Sequence, residues 1–168
     1  MIPAVPNSGP GLGYHRRVSP VEPEYPVTQD ICFLTIAEAA EKIAAKDLSP
    51  VELAQAYLDR IAAIDPQLNA FITLTAEHAL TLARKAEAEI AKGDYRGPLH
   101  GVPFALKDMF DTAGILTTGH SRVLEHNVPS TDAHAVKLLY DQGAVLLGKL
   151  ATHEFAHGGP SFDLPWPP

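Results

Sequence analysis

The sequence has little cysteine and no excess of positive charge. Cys32 is the single cysteine among 168 residues, so no disulfide can form within the chain, which favours a reducing compartment. Lys and Arg together number 13, against 20 Asp and Glu, and the formal net charge is -7. Proteins that bind nucleic acid normally present a basic surface. We therefore expect no nucleic-acid binding by the chain itself.

Long apolar runs are also absent. No stretch approaches the roughly 20 apolar residues that a membrane-spanning helix needs. The first residues lack the charged-then-apolar order of a secretory signal. These absences predict a cytoplasmic protein with no membrane partner. The composition, 46% hydrophobic and 20% charged, is ordinary for a globular domain and is sufficient for a hydrophobic core.

The chain divides by composition into a tail and a folded part. Residues 1–30 are rich in proline and glycine and have few periodic apolar positions, which predicts a disordered tail or extension. The folded part is expected to cover residues 31–168. Within it we predict a helical layer over residues 31–95 and the start of an α/β core over residues 98–168.

Two helix starts are marked by capping residues. Thr35 followed by Glu38 predicts a capping box, in which each residue's side chain accepts a hydrogen bond from the other's backbone N–H. Ser49, Pro50 and Glu52 predict the same arrangement for a second helix, with proline at its first position. Amphipathic periodicity follows both starts, so each helix is expected to bury one face.

The next boundaries are set by proline, threonine and glycine. Asp65-Pro66 predicts the end of the second helix, because the residue before proline disfavours the helical conformation. The weakly alternating stretch NAFITLT predicts a short strand. Thr75 is then expected to cap a third helix, which ends at Gly93.

The pattern changes after residue 97. The unbroken apolar run from Val102 to Leu106 predicts a strand buried on both faces. TDAHAVKLLYDQG predicts a helix, and AVLLGK predicts another buried strand. A strand, a helix and a strand in this order are typical of a βαβ unit. The predicted fold class is therefore α/β, with N-terminal helices ahead of the sheet.

The stretch HEFAH, from His153 to His157, matches the H-E-x-x-H pattern of zinc proteases. In those enzymes two histidines on one helical face bind zinc, and the glutamate acts as general base. Here Gly158, Gly159 and Pro160 follow at once and would stop a helix. We therefore expect a short turn with two polar histidines and no metal site. A zinc hydrolase is kept as an alternative.

Lys107 and Asp108 directly follow the first predicted buried strand. An amine held in a desolvated place has a lowered pKa and can act as a base. A lysine just past a strand end is more often a surface residue whose ammonium reaches water. The residue type and position alone leave both interpretations open.

Several ordered blocks in residues 33–168 resemble the amidase signature family. They are a G-x-P-x-x-x-K-D opening from Gly101 to Asp108, the segment AGILTTGHS, the block PSTDAHAVKLLYDQGAVLLGK, and HEFAHGG. The helical stretch SPVELAQAYLDRIAAIDPQLNAFI is similar to the family's N-terminal helical layer. The resemblance implies the N-terminal helices and the first strands and helices of the family's mixed-sheet core.

The resemblance also implies a chemistry. Family members hydrolyse or transfer the amide of carboxamides with a Ser–cis-Ser–Lys triad and no cofactor. Lys107 matches the lysine base of that triad. His157 and Gly158 fall in a turn that lines the substrate pocket. The expected partner is a small-molecule amide.

The family's Gly/Ser-rich segment with both catalytic serines has no counterpart in this sequence. Ser121 and Ser161 precede the position of that segment and are expected to be structural turn serines. We therefore expect a chain truncated before the signature, which supplies the lysine base without its serines and is inactive alone.

Three alternatives remain beside a stand-alone amidase. The A subunits of tRNA-dependent glutamine amidotransferases share these blocks, which would make the chain part of a multi-subunit transferase. The H-E-x-x-H pattern leaves the zinc hydrolase. A non-catalytic interaction fragment is the third, because an unfinished sheet exposes strand edges and apolar surface. Such a chain would form homo-oligomers or pair with the missing C-terminal part.

Overall fold

A computed structural model describes residues 31–159 and Trp166. The predicted tail at residues 1–30 and Ser161 lie outside the described residues. The chain forms four α-helices and three strands in the described part, in the order α1 Ile36–Ala45, α2 Pro50–Leu68, β1 Phe71–Leu74, α3 Ala76–Ala91, β2 Pro103–Lys107, α4 His134–Asp141 and β3 Val145–Leu150. Single 3-10 turns occupy Ile31–Phe33, Arg122–Leu124 and Glu154–Ala156. No helix in this part of the chain is long and apolar enough to cross a membrane.

The predicted caps of the first two helices are largely confirmed. The Thr35 hydroxyl accepts the Glu38 N–H, and the Glu38 carboxylate accepts the Thr35 N–H at 2.8 Å. The Ser49 hydroxyl accepts the N–H groups of Val51 and Glu52 at 3.0 and 3.2 Å. The reciprocal bond from Glu52 is not formed within the described structure, so α2 begins with a simple serine cap instead of a full capping box.

One predicted boundary was wrong. Helix α2 does not end at Asp65-Pro66 but continues to Leu68, and Asn69, at φ 51°, caps it by donating its N–H to the Asp65 carbonyl at 2.8 Å. The Asp65 carboxylate also accepts the Ala70 N–H at 2.8 Å. Proline is tolerated here because it lies in the last turn, which Asp65 fixes from both its backbone and its side chain.

The start of α3 is where it was predicted, at Ala76 directly after the N-cap Thr75, but the Thr75 side chain forms no capping hydrogen bond. Its backbone N–H donates to the Leu147 carbonyl at 2.9 Å, and its hydroxyl lies 3.4 Å from the Leu146 carbonyl. Thr75 therefore prolongs the contact of β1 with β3, and tertiary pairing replaces the local cap that the sequence pattern predicted.

The three strands form one sheet in the order β1-β3-β2. Strands β2 and β3 are parallel and are connected through α4, which confirms the predicted βαβ unit. Strand β1 pairs antiparallel with the other side of β3. The sheet is therefore mixed, with β3 in the centre. The predicted α/β fold class is confirmed.

Helices cover both faces of the sheet, but unevenly. Val145 and Leu147 of β3 pack against α2 and α3, while Leu146, which points to the other face, packs against Val136 of α4. Strand β3 is buried from Val145 to Lys149. A further core cluster joins α1, α2, α3 and the start of β2, through Ala39, Ile43, Leu48, Leu53, Ile90 and Val102.

The prediction that β2 is buried on both faces was wrong. Only Leu106 of this strand is buried, whereas Pro103, Phe104 and Ala105 are half-buried. Because β2 is an edge strand of the described sheet and α2 reaches only part of it, one of its faces stays open. This face ends at Lys107, where the candidate site begins.

Candidate active site

Lys107 is the last residue of β2 and pairs with Leu150 of β3. Its side chain is exposed, and its ammonium forms no hydrogen bond or ion pair with any other described residue. The desolvated environment considered for this amine is therefore not present in the described part of the chain. The physical reason is the position of β2 at the sheet edge, where nothing described covers the strand end.

The neighbouring Asp108 is fully buried and forms an ion pair with Lys149, which is also fully buried. The Lys149 Nζ lies 3.5 Å from Asp108 Oδ1. It donates to the Phe110 carbonyl at 2.7 Å and to the Thr117 hydroxyl at 2.6 Å. Asp108 Oδ2 accepts the Thr118 N–H at 2.9 Å and the Thr118 hydroxyl at 2.5 Å. The ion pair thus joins β2, β3 and the loop between Phe110 and Thr118.

Lys149 is the desolvated lysine of this region, and it was not predicted from the sequence. Burial lowers its pKa, while the Asp108 carboxylate opposes that shift. The sequence feature that could have revealed it is a lysine inside the apolar run AVLLGKL. A charge within a buried strand requires a buried partner, and Asp108 is that partner in the structure.

A chain of hydrogen bonds extends from Asp108 to the turn at residues 153–158. The Gly119 N–H donates to the Asp108 carbonyl at 2.8 Å, and the Phe155 N–H donates to the Gly119 carbonyl at 2.8 Å. The Ser121 hydroxyl donates to Glu154 Oε1 at 2.7 Å. The end of β2, the Thr117–Ser121 loop and the turn therefore form one hydrogen-bonded unit.

The HEFAH segment is a turn, as predicted, and does not form the helix that the zinc pattern requires. Only a 3-10 turn is present, at Glu154–Ala156, and Phe155 and Ala156 have φ of 49° and 60°. Such left-handed backbone is uncommon outside glycine. It breaks the i, i+4 helical relation that would place His153 and His157 on one face. The zinc-hydrolase alternative therefore lacks its geometric basis.

The candidate substrate-binding residues His157 and Gly158 are exposed at the end of this turn. No hydrogen bond joins either of them to Lys107 within the described structure. The link runs indirectly, through Phe155 and Gly119 to Asp108. Across residues 31–159 and Trp166, no group of three or more His, Cys, Asp or Glu side chains is arranged to hold a metal ion.

Ser121 has the structural role expected of it. It is fully buried, and its hydroxyl accepts the Val123 N–H at 3.2 Å while donating to Glu154. A serine engaged on both sides in this way fixes the loop and is unsuited to attack a substrate. No lysine contacts its hydroxyl in the described structure, so it has no base of the kind that the triad requires.

An apolar groove lies on the open face of β2, between this strand and α2. It encloses about 410 Å³. Alternate residues of a strand share a face, so Lys107 continues the row that Pro103 and Ala105 begin. The lining residues are Tyr57, Arg60, Ile61, Ile64, Asp65, Leu68, Ala70, Phe71, Pro103, Phe104, Ala105 and Leu147.

Comparison with known proteins places this arrangement in a family. The family model described as Amidase matches residues 52–161. The A subunit of the glutamyl-tRNA(Gln) amidotransferase from Geobacter sp. (strain M21) is 53% identical over 129 residues, which are 77% of this chain and 26% of the relative. The corresponding protein of Carboxydothermus hydrogenoformans is 46% identical over 129 residues, again 77% of this chain and 27% of the relative.

A solved structure shows the same fold. The native peptide amidase from Stenotrophomonas maltophilia superposes with a TM-score of 0.70 at 40% identity, covering 73% of this chain and 26% of that protein. The chain thus spans about a quarter of the length of the relatives it matches. The family match covers more than half of the chain and includes both Lys107 and the 153–158 turn. The resemblance found in the sequence is confirmed, and the chain belongs to the amidase signature family.

Proposed function

We propose that this chain supplies the general base, Lys107, of an amide hydrolase of the Ser–cis-Ser–Lys type. The observation that carries the proposal is the position of Lys107 within the family match, at the end of β2. The next residue, Asp108, is hydrogen-bonded through Gly119 to the 153–158 turn. The exposed amine of Lys107 can meet a further segment that brings the serines.

The proposed reaction follows from this arrangement. The Lys107 amine, as the base, takes a proton from the bridging serine, which takes one from the nucleophilic serine. The nucleophilic oxygen attacks the amide carbonyl, the C–N bond breaks, and ammonia leaves with a proton returned along the relay. Water then cleaves the acyl-enzyme and releases the carboxylic acid. His157 and Gly158 contact the acyl group of the amide substrate in this proposal.

We also propose that the chain acts together with polypeptide that carries the rest of an amidase domain. The open groove and the unpaired edge of β2 support this pairing, because apolar lining and free strand edges are surfaces that proteins normally cover. Ser121 is committed to Glu154, which supports the proposal that the serines of the triad come from elsewhere.

The first test measures ammonia release from a small peptide amide. We expect no release above the uncatalysed rate from the isolated chain. A chimera in which residues 31–159 replace the matching quarter of the Stenotrophomonas maltophilia peptide amidase is expected to release ammonia. Lys107→Ala in the chimera should lower kcat by about 10²–10⁴-fold, the range typical of a general base.

The matched control is Lys85→Ala, which removes an exposed lysine from α3 and should leave turnover unchanged. Turnover by the isolated chain, or full activity of the Lys107→Ala chimera, would contradict the proposal.

A second candidate is the A subunit of a tRNA-dependent amidotransferase. It is favoured by the relatives that are 53% and 46% identical and carry that name. The two functions differ in their acceptor. A transferase moves the ammonia of glutamine to an acyl acceptor and depends on partner subunits, whereas a hydrolase releases ammonia into solution. Replacing the matching quarter of the Geobacter relative with residues 31–159 and measuring transfer with its partner subunits distinguishes them.

A further inference from the structure

The Asp108–Lys149 pair is a buried charge pair between the end of β2 and β3. Both residues are fully buried, and removing two charges from water is costly even when they attract each other. Apolar residues of similar volume often stabilise such a position as well or better. Asp108 Oδ1 accepts no hydrogen bond from the described residues, so the pair is held there by charge attraction at 3.5 Å. The cost of burying two charges here points to a role besides packing.

Asp108, the residue that follows Lys107, is held by hydrogen bonds from three of its groups. The Asp108 N–H donates to the Leu150 carbonyl at 2.9 Å, and its carbonyl accepts the Gly119 N–H at 2.8 Å. Its carboxylate holds Thr118 through two bonds. Asp108 is therefore fixed at its N–H, its carbonyl and its side chain. The direction in which Lys107 leaves the sheet is fixed with it.

Lys149 extends the constraint to the rest of the loop. Its ammonium donates to the Phe110 carbonyl and to the Thr117 hydroxyl, at the two ends of the loop that follows Asp108. The loop in turn holds Phe155 through Gly119. A single ammonium thus links the strand end to the turn that bears His157 and Gly158.

We propose that Asp108 and Lys149 are positioning residues that set the Lys107 base and the 153–158 turn in one fixed geometry before the serines are present. The inference rests on the proposed function for Lys107. It adds a second lysine to the site, one whose Nζ holds the loop through the Phe110 carbonyl and the Thr117 hydroxyl.

The test uses the chain as it stands and compares Lys149→Met, Asp108→Asn and the double variant by amide hydrogen exchange. Each single variant should speed exchange of the Thr118, Gly119 and Phe155 amides by about tenfold or more, because bonds to a charged group are lost. Amides of α2 and α3 should keep their protection. The double variant should recover part of the loss, since it leaves no unpaired buried charge.

Two further variants keep the result decisive. Lys137→Met removes an exposed ammonium that pairs with Asp141 on α4 and should leave all these amides unchanged. Thr117→Val removes one acceptor of Lys149 and keeps both charges. If Lys149→Met does not fold, this variant should still show a smaller loss of protection, confined to the Thr118, Gly119 and Phe155 amides. Uniform loss of protection across the chain in Thr117→Val, or no recovery in the double variant, would overturn the proposal.

Activity separates positioning from stability. In the peptide amidase chimera, Lys149→Met should lower kcat by about a hundredfold with KM little changed, the effect expected when a reacting group is displaced by roughly 1 Å. The same loss of kcat in Lys137→Met would contradict positioning. A chimera that is inactive with Lys107 and Lys149 both intact would count against the proposed function, and the exchange experiment would then decide on the pair by itself.

Discussion

His100 shows how one side chain can be fixed from several directions. It is fully buried, its Nδ1 accepts the Arg96 N–H at 3.1 Å, and its Nε2 lies 3.0 Å from Glu89 Oε2. Because Nδ1 accepts, the ring is neutral with its proton on Nε2, which donates to Glu89. Tyr95 stacks on the ring at a centroid distance of 6.0 Å. Gly143, at φ 78°, packs against the ring, and a Cβ at this position would collide with the imidazole.

The stability of the chain should depend on this histidine below neutral pH. Burial lowers the pKa of His100, an effect that the bond to Glu89 only partly offsets. The unfolded chain therefore binds the proton more readily, so the free energy of unfolding should fall as pH drops below about 6.5. The fall should level off below the folded-state pKa. His100→Gln should flatten this part of the profile, as measured by urea unfolding between about pH 5 and 7.

The control for this experiment is His126→Gln, which changes an exposed histidine and should keep the slope. Glu89 contributes at lower pH: although burial opposes it, the nearby Arg96 guanidinium lowers the pKa of Glu89. That contribution is lost only as pH falls through the lowered value. An unchanged slope in His100→Gln would contradict the assignment.

At this scale the sequence predicted some contacts and missed others. The Thr35–Glu38 cap was predictable because both partners lie three residues apart. The Asp108–Lys149 pair was not, because its partners are far apart in the chain and meet only through the parallel register of β2 and β3. Lys107 was picked out by family resemblance, and the open edge of β2, which leaves it exposed, could not be read from its neighbours in the chain.

Elements were predictable where their patterns were local. Periodicity and glycine boundaries predicted α3, α4 and β3, and the order of elements predicted the βαβ unit. The end of α2 was missed because Asp65 caps the turn that contains Pro66 through its carbonyl and its side chain. The capping bond of Thr75 is absent because its N–H and hydroxyl pair with β3. Burial of β2 was overestimated because an apolar run shows only that a strand can be buried on both faces. Whether both faces are covered depends on the elements that pack against the strand.

Gly148 illustrates a dependence between elements that can be tested. It is buried in β3, and a Cβ there would collide with the Thr73 carbonyl of β1. Gly148→Ala should therefore lower the free energy of unfolding by about 1–3 kcal/mol, the usual cost of overpacking. Chemical denaturation measures the change. Gly159→Ala, where nothing lies within 4 Å of the added methyl, should be neutral, and equal stability of both variants would refute the close approach.

Apolar surface is exposed on both sides of Lys107 in the described part of the chain. The groove against α2 is open, and Met109 and Phe110, just past Lys107, are 50% and 36% exposed. Exposed apolar surface that is contiguous with a strand edge favours association. This surface is where the proposed pairing with further amidase polypeptide would take place.

The isolated chain should therefore self-associate through this surface. Sedimentation equilibrium should give a mass above the 18.0 kDa monomer that falls with dilution. Ala105→Lys places a charge in the groove on the edge strand and should shift the chain toward monomer. Leu138→Glu changes an exposed leucine of α4 on the other side of the sheet and should not. A concentration-independent monomer for the unaltered chain would contradict this prediction.

The central place of β3 has a consequence for how the polypeptide is made. Strands β1 and β2 each bond to β3 and not to each other, so a nascent chain that has emerged from the ribosome only as far as residue 144 has two strands and no sheet. Helices α1 to α3 can dock on one another early, through contacts close in sequence. The end of β2 at Lys107 cannot pair until Val145–Leu150 has been synthesised. A ribosome that stalls before this segment leaves β1 and β2 without a partner strand and prone to aggregation.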